Sequence, residues 1–199
     1  MAKEKVIGVS MRISCSKSTN ELRDSISKDW SNFLQITFPD TKWIYIPNIG
    51  KNDVISYCER VGINSLILTG GDDLGKFEIR DETEFELLNW AERTKIPLIG
   101  ICRGMQLMGV REGVKLKKSF VHVNKKHKVD GIISQDVLCF HNYALDKSPK
   151  NYKVTSLSSD GEIESIKHKY LNWEGFMWHP EKVKIFNSND IKRFREILK

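Results

Sequence analysis

Apolar positions along this chain follow two rhythms. Short continuous runs, Val6-Ile7-Gly8-Val9, Trp43-Ile44-Tyr45-Ile46, Ser65-Leu66-Ile67-Leu68 and Ile96 to Ile101, predict buried strands, and Pro47 stops the second of them. Between these runs the period lengthens. Trp30, Phe33 and Leu34 fall at helical spacing within Lys28 to Ile36, and Asp53 can cap a helix carrying Val54, Ile55, Tyr57, Cys58 and Val61. Phe85, Leu87, Leu88 and Ala91 give Arg80 to Arg93 an apolar stripe. Continuous apolar strands alternating with helices predict a parallel sheet covered on both faces, the α/β architecture.

After about Gly113 the texture changes. Asp136 to Cys139, Tyr152 to Leu157, Glu162 to Lys167 and Glu174 to Trp178 are shorter segments, with Ser158-Ser159-Asp160-Gly161 as a turn between two of them. They predict a small antiparallel extension of the same domain in the C-terminal half, closed by a helix over Asp190 to Leu198. No linker, internal repeat or low-complexity tract interrupts the 199 residues, of which 40% are hydrophobic, so residues 1–199 are expected to share one core of ordinary size.

Charge alters this picture little. Lys and Arg number 32 against 26 Asp and Glu, a formal +6 that would suit an anionic partner. The densest basic runs, Lys115-Leu116-Lys117-Lys118 and Lys125-Lys126-His127-Lys128, lack interleaved aromatics and read as solvated loops, so no nucleic-acid partner is expected. Met1-Ala2-Lys3-Glu4-Lys5 does not resemble a signal peptide and no stretch is long enough to span a bilayer, which leads us to expect a soluble, cytoplasmic protein without membrane association. Cys15, Cys58, Cys102 and Cys139 are scattered, with no CxxC pair or metal-ligand spacing; neither a disulfide framework nor a metal site is expected, and no cofactor.

Candidate chemistry concentrates in Pro97 to Gly109, PLIGICRGMQLMG. If Pro97 to Ile101 is a strand and Arg103 to Met108 begins a helix, Cys102 lies on the tight turn between them, and Gly100 and Gly104 remove the Cβ atoms that would collide there. G-x-C-x-G is the cysteine version of the nucleophile elbow: it exposes the sulfur at the carboxyl end of a sheet, facing the positive end of a helix that favours thiolate. The N–H of Arg103 would point at an oxygen on the attacked carbon. A lone GxCxG equally fits a buried, inert cysteine, and two further features favour the nucleophile. Gly70-Gly71 ends the preceding strand, so its amides can complete an oxyanion hole on the same sheet edge. His179, after the apolar run Phe176 to Trp178, is followed by Pro180 and by Glu181, a carboxylate able to fold back and hold the imidazole in one tautomer.

Thr69-Gly70-Gly71-Asp72, Gly100-Ile101-Cys102-Arg103-Gly104-Met105-Gln106 and Trp178-His179-Pro180-Glu181, in that order and spread over nearly the whole chain, resemble the class I glutamine amidotransferase superfamily. Within it, GICRGMQLM, IRDETE and SDGEIESI are similar to the γ-glutamyl hydrolases of γ-glutamyl-γ-aminobutyrate and related amides. The resemblance implies a flavodoxin-like, mostly parallel central sheet flanked by helices. It implies a triad of Cys102, His179 and Glu181, and an oxyanion hole from the Gly71 and Arg103 amides. It also implies a glutamyl pocket involving Gly70, Gln106 and Phe140-His141-Asn142. The chain departs from the branch where Leu138-Cys139-Phe140-His141-Asn142-Tyr143 stands for N-S-x-H-H-Q, and where Gly109 replaces an asparagine. Those departures, and the short length, fit best a relative active in capsular polysaccharide modification whose γ-glutamyl substrate carries a diphosphate and a nucleotide.

The expected activity is therefore cysteine-dependent hydrolysis of a γ-glutamyl amide through a γ-glutamyl thioester, on a small-molecule substrate that is nucleotide-linked in this best fit. Arg12, Lys17, Lys76 and Arg103 are candidate contacts for an anionic leaving group. Hydrolysis of γ-glutamyl-γ-aminobutyrate or a similar amine, and a glutaminase subunit feeding ammonia to a synthetase, would use the same triad. A non-catalytic anion-binding domain is the rival of another class.

Overall fold

The computed structural model describes residues 4–119 and 123–199. In chain order its first half comprises β1 (Val6–Ser10), β2 (Arg12–Cys15), β3 (Leu22–Ser25), α1 (Lys28–Thr37), β4 (Lys42–Ile46), α2 (Val54–Arg60), β5 (Ser65–Leu68), α3 (Glu78–Thr94), β6 (Leu98–Ile101) and α4 (Arg103–Arg111). There follow β7 (Leu116–Lys118), β8 (Val123–Gly131), β9 (Gln135–Phe140), β10 (Tyr143–Leu145), β11 (Tyr152–Ser158), β12 (Ile163–His168) and β13 (Trp173–Phe176), then a single 3-10 turn (Pro180–Lys182) and α5 (Ser188–Ile197).

Nine strands form one sheet in the order β4-β1-β5-β6-β13-β12-β11-β8-β9. The first five run parallel, and counted among themselves they lie in the flavodoxin order 2-1-3-4-5. The last four are antiparallel neighbours, so the extension continues the central sheet instead of forming a layer of its own. Of the parallel strands, β1, β5, β6 and β13 are buried on both sides while β4, at the sheet edge, is only half-buried, and the period of two divides their side chains between two cores. Leu66, Leu68 and Leu98 pack with α2, α3 and α4, while Ile67, Ile99 and Ile101 pack with Trp30, Phe33 and Leu34 of α1 and Phe194 of α5.

Two local readings are revised by the structure. Asp53 stands at the N-cap of α2 but in a helical conformation and with no side-chain capping bond. The basic runs are strands: Leu116–Lys118 pairs with β10 and Lys125 to Lys128 lies in β8, paired with β9. Ladder hydrogen bonds to those partner strands fix these segments, although most of their side chains remain exposed. After β1, Arg12 to Ser25 forms a hairpin, β2–β3, with little burial of its own. Among the described residues no helix is long and apolar enough to cross a membrane.

Candidate active site

Strands β5, β6 and β13 are adjacent, so their carboxyl ends deliver Gly70-Gly71, Cys102 and His179 to one rim of the sheet. Cys102 joins β6 to α4 with φ +51° and ψ −103°, a conformation that non-glycine residues avoid. The elbow is held from both sides. The Cys102 N–H donates to the Phe176 carbonyl at 2.6 Å, and its carbonyl accepts from the Gln106 N–H at 3.0 Å. The flanking glycines are sterically required: a Cβ on Gly100 would lie 2.7 Å from the Gly104 carbonyl carbon, and one on Gly104 would strike the Leu68 carbonyl.

His179 leaves β13 through Met177 and Trp178, and its N–H donates to the Leu138 carbonyl of β9 at 3.0 Å. Pro180 turns the chain into the 3-10 segment and brings Glu181 back, so that its Oε1 sits 2.7 Å from His179 Nδ1. Both side chains are buried, and the Phe140 ring meets the imidazole edge-on at 5.5 Å between centroids. Burial alone would depress the imidazole pKa; the Glu181 carboxylate and then Cys102 reverse that and raise it, favouring the imidazolium. Gly70 packs against both of them: a Cβ there would fall 2.5 Å from His179 Cε1 and 3.4 Å from Cys102 Cβ. Cys102, His179 and Glu181, read from distant parts of the sequence, are brought together.

A cleft of about 310 Å³ opens over the thiol, lined by Cys102, His179, Gly71, Arg12, Phe140 and Asn142, with Asp72, Asp73, Lys76 and Lys182 completing its wall. Gly70 lines the adjoining recess. Gly71, at φ +128°, takes a conformation reserved for glycine, and a Cβ there would crowd Arg80 and Arg12. Burial works against a charge on Asp72, but Lys76 at 2.6 Å and Arg12 at 3.5 Å hold its carboxyl below the ordinary range. Gln106, expected to contact the glutamyl group, is buried and does not line the cleft; its amide donates to the Tyr143 carbonyl at 2.8 Å.

Three more expected contacts are corrected. His141 does not line the cleft; it is buried behind it, with Nε2 3.5 Å from Glu164 and Nδ1 3.2 Å from the Tyr143 carbonyl. The side chain of Arg103 is buried and ion-paired with Glu84 and Asp81, so only its backbone N–H, in the first turn of α4, can serve the site. Lys17 lies in the exposed turn between β2 and β3 and lines no part of the cleft.

Two buried clusters escaped sequence reasoning. Glu84 accepts from Ser10 Oγ at 2.7 Å and from Arg80 at 3.1 Å as well as from Arg103, a knot that anchors the first turn of α4 to β1. The i,i+4 spacing of Arg80 and Glu84 on one helix was its only local signal. Behind β9, Glu164 lies 3.3 Å from His127 and 3.5 Å from His141 and accepts from the Cys139 thiol at 3.4 Å. Burial opposes the Glu164 charge, but hydrogen bonds from the two imidazoles hold its pKa down to about 2, and burial beside that carboxylate pushes the Cys139 thiol up. His127, Cys139 and Glu164, and likewise His141, Glu162 and Glu164, are metal-ligand types whose donor atoms lie within 4.8 Å of one another. His127, His141 and Cys139 serve Glu164 as hydrogen-bond and ion-pair partners.

With the site in place, comparison with known proteins is decisive. The model of the family "Glutamine amidotransferase class-I" matches residues 45–193. The chain belongs to that family. Its members are cysteine hydrolases of amide bonds, in keeping with a cysteine at a strained elbow beside a histidine–carboxylate pair. This amidotransferase domain is 32% identical over 196 residues to a protein named gamma-glutamyl-CDP-amidate hydrolase from Campylobacter jejuni, an alignment covering 93% of this chain and 94% of the relative. It is 28% identical over 146 residues to the glutamine-hydrolyzing GMP synthase of Petrotoga mobilis, covering 65% of this chain and 27% of that protein. Among solved structures, a glutamine amidotransferase from Thermotoga maritima superposes with a TM-score of 0.65 at 13% identity, covering 98% of this chain and 82% of the other, a likeness of fold alone.

Proposed function

We propose that this amidotransferase-family chain hydrolyses a γ-glutamyl amide by a Cys102–His179–Glu181 triad, and that the leaving group is a nucleoside diphosphoramidate such as CDP-amidate. The observation that carries the chemistry is the 2.7 Å contact of His179 with Glu181, with the imidazole and the cysteine both packed against Gly70. The relative covered almost end to end, and named for γ-glutamyl-CDP-amidate, supports the leaving group.

The Cys102 thiolate attacks the γ-carbonyl carbon, and the Gly71 and Arg103 N–H groups hold the resulting oxyanion. His179, as imidazolium, gives its proton to the departing nitrogen as the C–N bond breaks, leaving a γ-glutamyl thioester on Cys102 and releasing the phosphoramidate. Now neutral, the imidazole takes a proton from water, whose oxygen attacks the thioester; glutamate leaves and the thiolate returns. Glu181 orients the ring and stabilises its charged form throughout.

The test ranks kcat/KM for γ-glutamyl-CDP-amidate, γ-glutamyl-γ-aminobutyrate and glutamine. Preference for the nucleotide substrate is expected, and Cys102→Ala should lower turnover on the order of a millionfold. Near-normal turnover by Cys102→Ala would overturn the mechanism. The match to a GMP synthase favours a second reading, a glutaminase feeding ammonia to a synthetase. Glutamine turnover that rose sharply on adding such a partner would establish it.

A further inference from the structure

We propose that Lys182, together with Arg12, forms a second binding site at the mouth of the cleft, for the diphosphate of the leaving group; this rests on the reading of γ-glutamyl amide hydrolysis given above. Two openings meet at His179. One is the cleft over Cys102, and the other a small recess of about 50 Å³ against Trp30, Gly70 and Glu181. Arg12 and Lys182 line both. The two cations therefore flank the imidazole that protonates the departing nitrogen, where atoms joined to that nitrogen must lie. On its other side Lys182 borders a groove of about 740 Å³ that runs past Asp136 and Leu138, which leaves room for a base and ribose beyond the phosphates.

The charges at this mouth are unevenly matched. Asp72 is one carboxylate shared by Arg12 and Lys76. Lys182 has no carboxylate within 4.0 Å among the described residues; its Nζ rests 4.5 Å from the centroid of the Phe140 ring, on the face of the cleft. With Asp73 counted, three cations oppose two carboxylates around the opening. A γ-glutamyl group carries one ammonium and one carboxylate and leaves that surplus untouched. A diphosphate takes it up, the ammonium acting as a movable point charge and the guanidinium as a planar fork. The short 3-10 turn that folds Glu181 onto His179 also sets Lys182 at the mouth, so one local structure positions both the base and the anion contact.

The experiment compares wild type, Lys182→Gln, Lys182→Arg and Arg12→Gln on two substrates, γ-glutamyl-CDP-amidate and γ-glutamyl-p-nitroanilide, whose leaving group is uncharged. The ratio of kcat/KM, nucleotide over anilide, is expected to fall about 10- to 100-fold in each glutamine variant, the loss of one charge-assisted contact, and to recover in Lys182→Arg. CDP binding measured by calorimetry should weaken in parallel. Equal losses on both substrates would assign the two cations to the glutamyl group and overturn the proposal, as would CDP binding that Lys182→Gln leaves unchanged. If wild type cleaved neither substrate yet bound CDP through Lys182, the anion site would stand and the hydrolase reading would fail.

Discussion

Replacing Gly70 by alanine tests how the site is assembled, because this glycine packs against both the nucleophile and its base. Its φ is not in the left-handed region, so the backbone accepts alanine, and the obstacle is the added methyl group. That Cβ would stand 2.5 Å from His179 Cε1 and 3.3 Å from Nε2. An ordinary contact begins near 3.4 Å, so the imidazole must retreat by about 0.9 Å. It has little freedom to do so: Nδ1 is held at 2.7 Å by Glu181, the Phe140 ring meets it edge-on, and the residue's N–H is tied to Leu138. A misplacement of about 1 Å at a reacting group costs roughly a hundredfold in rate, or about 2.7 kcal/mol of barrier. Folding should suffer less, since overpacking costs about 1–3 kcal/mol and the loss of a glycine returns about 0.4–1 kcal/mol through the unfolded chain. Steady-state kcat on a γ-glutamyl amide, with thermal unfolding as the control, reads both quantities. A folded Gly70→Ala protein with kcat within threefold of wild type would show that the imidazole does not occupy the position described.

Other positions separate stability from chemistry. Arg103→Leu leaves Glu84 a buried carboxylate short of one partner and should cost about 3–5 kcal/mol in denaturant unfolding, without altering the ranking of substrates. A changed leaving-group preference in that variant would place the guanidinium in the cleft after all. Glu164 has a folded-state pKa of about 2 against an ordinary 4.5, so its stabilisation is complete above about 4.5 and is lost as pH falls through about 2. Glu164→Gln should accordingly be less stable at pH 7, and the gap to wild type should close over that acid window; a gap independent of pH would refute the ion pairing with His127 and His141. Glu181→Gln removes the first of the influences that raise the His179 pKa, so the alkaline limit of activity should move to lower pH, read from the pH dependence of kcat/KM.

Much of the fold was legible because its determinants are local. The runs at β1, β4, β5 and β6 are apolar on both faces, as a covered parallel sheet requires, and the glycines around Cys102 announce a turn that few other sequences tolerate. Glu181 could be paired with His179 because only a proline separates them. Segments whose strand state depends on a partner strand and not on their own apolar pattern were not legible: Lys125 to Lys128 reads as solvated loop, and ladder bonds to Asp136–Cys139 make it a strand. The roles of charged residues were hidden for the same reason. A sequence displays charge but not direction, so Arg103 looked like a substrate contact until α3 presented Glu84 and Asp81 to it, while Lys182 went unnoticed until a 3-10 turn placed it at the cleft mouth. Backbone pattern and turn chemistry are written along the chain within a few residues. Which carboxylate meets which cation is decided where helices and strands remote in sequence pack together, and burial then makes those pairings strong.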